Sequence, residues 1–108
     1  METHSAKNNK FIVFVYEYIG TAFLLYAINM VTQNHYGVFG IILTLFANLL
    51  IAAPISGALF NPAVTVGIFV CNKTKSADID MFLIMLFAQF FGAFHGCFGS
   101  ALSLATFN

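Results

Sequence analysis

Charge is what this sequence has least of. Only 7% of its 108 residues are Asp, Glu, Lys or Arg, against about a quarter in an ordinary soluble domain. Between Lys10 and Lys73 the single formal charge is Glu17, and beyond Asp80 there is none. No polar face is left to cover a water-soluble globule. Net charge is zero with the histidines neutral, and no basic cluster exceeds two lysines, so the electrostatic footprint of a nucleic-acid binder is missing. Cysteine is scarce too. Cys71 and Cys97 lie far apart in apolar surroundings and read as small buried hydrophobes, not as a disulfide or metal pair. The histidines fall on a tail (His4), a loop (His35) and a helix (His95), with no Ser, Cys or carboxylate at a spacing that suggests a triad or a metal site. That pattern argues against an enzyme and calls for no cofactor.

What the chain has is apolar length: 60% of it is hydrophobic. Residues 1–10 are polar and read as a short tail. Residues 11–32 supply about the 20 residues that a membrane-spanning helix needs at 1.5 Å rise each. A cleaved secretory signal is the alternative, but the run is too long for an ordinary signal core and lacks a small-residue cleavage site. Gln33, Asn34, His35, Tyr36 and Gly37 form a polar turn, and residues 38–54 return as a second span. The next apolar stretch, 63–71, is about 13 Å long as a helix and cannot cross a hydrocarbon core of about 30 Å. It must enter and leave by one face. A polar loop, 72–78, follows, with Asp78 and Asp80 both candidates to cap a third span over 79–106. That span carries Ala88, Gly92, Gly96 and Ser100 at four-residue spacing, a small-residue stripe that lets another helix approach, in this chain or in a neighbour.

The lysines give the orientation. With a cytoplasmic tail, Lys7, Lys10, Lys73 and Lys75 all fall on the cytoplasmic side, as the positive-inside rule prefers. The sequon Asn72-Lys73-Thr74 then faces the cytoplasm and is not glycosylated.

The segment that breaks the helical pattern is "PISGALFNP". At membrane depth, irregular backbone survives only where protein buries it or water fills a cavity beside it. Gly57 and Ala58 allow an extended, close-packed chain with exposed carbonyls. Asn61 stands where an N-cap belongs and Pro62 at the first helical position, which tolerates a missing N–H. A half-helix starting at mid-membrane presents free N–H donors and about half a positive charge, which suits neutral polar molecules and repels cations. The plainer alternative is a loop between two helices.

"SGALFNPAVT" resembles the signature of the major intrinsic proteins, the aquaporins and glycerol facilitators, whose usual form is Ser-Gly-Ala-His-x-Asn-Pro-Ala-Val-Thr. Nine of the ten positions agree, counting the free one. Glu17-Tyr18-Ile19-Gly20-Thr21 and Ala88-Gln89-Phe90-Phe91-Gly92-Ala93 are similar to the same family, so the resemblance covers residues 11–106 in order. It implies an all-α membrane fold: three transmembrane helices and a re-entrant half-helix over 62–71, together the first inverted repeat of an aquaporin-like channel. Aquaporin-type selectivity is generally described through pore width, lining donors and acceptors, and half-helix dipoles, so that mechanism comes with the resemblance.

By resemblance, Asn61 donates its side-chain amide to the permeating molecule, with Pro62 and Ala63 fixing the start of the half-helix. The carbonyls of Gly57, Ala58 and Leu59 form a ladder of acceptors. Glu17 is expected to accept from the backbone N–H groups of the dipping loop, the alternative being a carboxylate snorkelling to the interface. Gln89 is expected in a structural hydrogen bond. An ungapped count places a selectivity position at Ile41, with Phe39 nearby. Leu59 stands where the family usually has histidine, which removes an imidazole from the cytoplasmic mouth and any pH response depending on it.

The resemblance also implies a second half carrying another Asn-Pro-Ala and a filter arginine, neither of which these residues contain. The expectation is half of a passive channel for water or small neutral solutes such as glycerol, completed by a second repeat and assembled as a homo-tetramer in a lipid bilayer, without nucleic acid. The competing reading is a truncated, non-conducting paralogue that associates with intact subunits. Two antiparallel copies would need half the molecules inverted, against all four lysines. A secondary transporter with a broken helix would need a second intramembrane ionisable group beside Glu17.

Overall fold

The computed structural model describes residues 9–32, 37–72 and 79–107. Lys7, Lys73, Lys75, Asp78, His4 and His35, and the expected turn at 33–36, lie outside the described residues. Among the described residues four helices follow in order: α1 (Lys10–Val31), α2 (Gly37–Ser56), α3 (Pro62–Cys71) and α4 (Ile79–Phe107). Helices α1, α2 and α4 are long and apolar enough to cross a membrane, and α3 is a shorter apolar helix. At ten residues, α3 is about 15 Å long, half of what a crossing takes.

Local sequence explains most of the ends. The Asn9 side chain caps α1, accepting from the N–H groups of Phe11 at 3.1 Å and Ile12 at 3.3 Å. Asp80 sits in the first turn of α4, near the positive end of its dipole, and pairs with Lys10 at 3.2 Å. That exposed contact ties the starts of α1 and α4 together, and Tyr26 Oη to Ser103 Oγ, at 3.1 Å, links their far ends. The two helices therefore run parallel. Helix α2 starts at Gly37, one residue before the expected span, and runs through Pro54 to Ser56. Pro54 removes one hydrogen bond without ending the helix, because Gly57 N–H still reaches the Ala53 carbonyl at 3.1 Å and the proline is exposed, where its ring has room.

Helix α1 is the centre. It packs against α4 on one side and α2 on the other, and α3 rests on α4. The small-residue stripe faces α1 within this chain: a Cβ on Gly92 would meet the Tyr18 carbonyl, and one on Gly96 the Ala22 carbonyl. Close approach allows polar pairs along the seam. His95 Nδ1 and Tyr18 Oη lie 2.6 Å apart, and Asn29 Nδ2 donates to Ser100 Oγ at 3.0 Å.

The distribution of polarity inverts that of a soluble domain. Glu17, Thr21, Thr65, Gln89 and Ser100 are buried, whereas Phe23, Phe46, Phe87, Phe94 and Phe98 are exposed. Charged groups leave water only with partners, and large apolar side chains stay outside only where the solvent is lipid. The chain is an integral, multi-pass membrane protein. Cys71 and Cys97 are free, but both are exposed rather than buried: against lipid, a small apolar side chain gains little from facing inward.

Candidate functional site

After Ser56 the backbone leaves helical geometry for five residues. Gly57, Ala58 and Phe60 take positive φ values of 92°, 54° and 50°. Glycine enters this region freely; alanine and phenylalanine do so at a cost of about 1–3 kcal/mol each, and persist only where their surroundings impose it.

The imposing group is Glu17. It is fully buried, and its carboxyl group accepts four hydrogen bonds. Oε1 receives Ser56 Oγ at 2.6 Å and Leu59 N–H at 3.1 Å. Oε2 receives Phe60 N–H at 2.8 Å and Gln89 Nε2 at 3.0 Å. Ser56 Oγ in turn accepts from Ala58 N–H at 3.1 Å. With Gly57 N–H on Ala53, every backbone donor from 57 to 60 is satisfied inside the protein. The carbonyls of Gly57, Ala58 and Leu59 accept from no described residue. Donors are turned in and acceptors are left over.

The start of α3 repeats this pattern with the sign reversed. Asn61 is extended, with φ −151° and ψ 120°, and its Oδ1 accepts from Ala63 N–H at 2.9 Å. Pro62 occupies the first turn, where an N–H would have no partner. Asn61 and Ala63 are exposed. With Oδ1 committed to the cap, the Nδ2 donors of Asn61 are the part of the side chain left open, and no described residue accepts from them.

Gln89 is fully buried and joins α1 to α3. Nε2 lies 3.0 Å from Glu17 and 2.8 Å from Thr65 Oγ1, which is also 3.0 Å from the Asn61 carbonyl. A hydroxyl has one proton. If Thr65 accepts from Nε2 and donates to Asn61, the chain Thr65, Gln89, Glu17 is consistent throughout, and the 3.0 Å approach of Thr65 to Gln89 Oε1 is a contact without a proton. Gln89 is thereby committed to protein partners.

The structure thus brings Gly57, Ala58, Leu59, Asn61, Pro62, Ala63, Glu17 and Gln89 into one unit. Ile41 is not part of it. It is half-buried in the second turn of α2, about 22 Å of helix from the loop. Leu59 lines a small cavity between α3 and α4 with Phe69, Met81 and Met85, an apolar setting with no imidazole. The residues that sequence reasoning missed are Ser56, Thr65 and Phe60. Ser56 and Thr65 had a signal, since each places a hydroxyl within one helical turn of the broken backbone. Phe60 had none, being one of 14 phenylalanines.

Comparison with known proteins agrees with this architecture. The family model "Major intrinsic protein" matches residues 12–105. An aquaglyceroporin of Toxoplasma gondii (strain ATCC 50611 / Me49) is 35% identical over 89 residues, covering 78% of this chain and 34% of that protein. The chain spans about a third of that relative's length. No solved structure matches it. By its signature loop and by this match across nearly its whole length, the chain belongs to the major intrinsic protein family.

Proposed function

We propose that this chain supplies the first half of a passive transmembrane channel for water and small neutral solutes such as glycerol. The observation that carries the reading is the division of polar groups at the loop: inward donors all satisfied, the carbonyls of 57–59 and the Nδ2 donors of Asn61 left open beside the start of a half-helix. A solute that both donates and accepts is matched by such a surface, and a hydrated cation is not. The half-helix terminus adds about half a positive charge, the device by which aquaporin-type pores are described as excluding cations. The relative's name couples water with glycerol, which supports both solutes as candidates here.

In this reading Asn61 contacts the solute, Pro62 and Ala63 set the helix start, and the carbonyls of Gly57, Ala58 and Leu59 pass the solute along. Glu17 and Gln89 hold the loop, and Ile41 belongs to a selectivity region nearer the other mouth. A second repeat completes the pore around the half-helix, the N-terminus is cytoplasmic, and the complete channel is a homo-tetramer. Osmotic swelling of vesicles carrying the full reading frame tests this. Water permeability well above protein-free vesicles, with glycerol entry and no proton or cation leak, is the expected result. Permeability equal to protein-free vesicles refutes the channel, and leaves the non-conducting paralogue.

A further inference from the structure

Phe60 behaves unlike the phenylalanines around it. It is 3% exposed, whereas Phe11 is 74% and Phe98 is 56% exposed. Its ring lies on Gly20 of α1: a Cβ at that position would fall 2.6 Å from Cζ and 2.8 Å from Cδ1, inside the distance real side chains keep. Only glycine admits the ring. Gly20 is itself fixed, because its carbonyl accepts from Asn48 Nδ2 of α2 at 3.1 Å.

Resting on the channel reading above, we propose that Phe60, seated in the Gly20 notch, is a positioning residue that fixes where Asn61 presents its amide. Between Phe60 and Asn61 the backbone swings from φ 50° to φ −151°, so the conformation of Phe60 decides where the next side chain goes. The left-handed region is unfavourable for phenylalanine, and two contacts hold it there. The Glu17 carboxyl fixes the N–H at 2.8 Å, and the notch fixes the ring. The hydrogen bond alone leaves the residue free to rotate about the N–H···O axis; with the ring seated, that rotation is closed. Phe60 and Gly20 both border an open groove of about 480 Å³ between α1 and α2, so a ring pushed off Gly20 has space beside it and the loop is displaced rather than unfolded.

The test uses the full-length chain in proteoliposomes with Gly20→Ala, Phe60→Leu and the double variant, which moves volume from the loop to the helix with little net change. Gly20→Ala is expected to lower water permeability per channel about tenfold, the effect of a barrier higher by about 1.4 kcal/mol, and to change the glycerol-to-water ratio. Adding Phe60→Leu is expected to restore both to within about threefold of wild type, a difference of about 0.65 kcal/mol. A folded Gly20→Ala protein with unchanged permeability, or a double variant no better than Gly20→Ala, overturns the proposal. Should Gly20→Ala fail to fold, Phe60→Leu alone decides: a wild-type solute ratio overturns it and an altered one supports it. A conduction-free readout separates this from the channel reading. In a Cys71→Ser, Cys97→Ala background, Asn61→Cys reacts with a water-soluble thiol reagent at a rate that Gly20→Ala changes and Phe60→Leu restores. A wild-type chain that does not conduct refutes the channel; equal labelling rates in all variants refute the positioning role.

Discussion

Glu17→Gln is the sharpest probe of how the loop is held, because it keeps the size of the side chain and removes one acceptor oxygen. Four donors converge on the two carboxyl oxygens. If the new amide nitrogen takes the Oε2 place, Gln89 can turn its own amide and accept from it, and Thr65 accommodates the exchange because it lies within 3.0 Å of both Gln89 heteroatoms. Phe60 N–H cannot reverse, and it is orphaned. If the nitrogen takes the Oε1 place, the Ser56 hydroxyl can rotate, with the Ala52 carbonyl at 3.4 Å as its next acceptor. Leu59 N–H is then the orphan. Either way one backbone donor is stranded at a carboxyl site with no solvent exposure, at a cost of about 1–3 kcal/mol. Glu17→Ala strands both backbone donors, Leu59 N–H and Phe60 N–H, and costs at least about twice as much, appearing mainly as lost folded yield. Equilibrium unfolding in mixed detergent micelles measures both. A Glu17→Gln protein within about 0.5 kcal/mol of wild type would refute the reasoning, since a stranded backbone donor costs more than that.

Thr21 supplies the opposite case: its hydroxyl is buried with no partner among the described residues, so Thr21→Val removes no hydrogen bond there and should leave stability within about 1 kcal/mol of wild type or raise it. A larger loss in the same unfolding assay would mean that a partner occupies the site. Gly96→Val drives a side chain into the Ala22 carbonyl and should destabilise by about 1–3 kcal/mol or more through overpacking, while Gly67→Ala, which meets nothing within 4 Å, should not. The sequon beginning at Asn72, the C-cap of α3, should remain unglycosylated in a eukaryotic membrane system. A mobility shift removed by glycosidase would invert the cytoplasmic assignment.

The spans were legible because a bilayer demands about 20 apolar residues, and composition alone meets or fails that demand. Helix α3 was legible because Asn61-Pro62 punctuates an apolar run at a place where too few residues follow to cross. Glu17 drew notice as a charge with no water nearby. Side-chain direction was not legible in the same way. In a soluble protein a phenylalanine at core spacing points inward, but with lipid outside the driving force vanishes, so nothing in the sequence separates Phe60 from Phe23 or Phe46. Its burial follows from the glycine opposite it, 40 residues earlier, and from a left-handed backbone that no propensity favours. The same blindness placed Cys71 and Cys97 inside. Pairing across the α1–α4 seam, such as Tyr18 with His95, depends on a helix register that the small-residue stripe permits without specifying.

Asn61→Asp in the full-length chain tests the central claim most directly, read as water permeability and cation conductance in the same proteoliposomes. The substitution keeps Oδ1 for the Ala63 cap and replaces the open donors with a negative charge at the half-helix start. The account predicts a fall in water and glycerol flux together with a measurable cation leak. Unchanged neutral flux with cations still excluded, in a protein that folds normally, would contradict it and take Asn61 out of the permeation path.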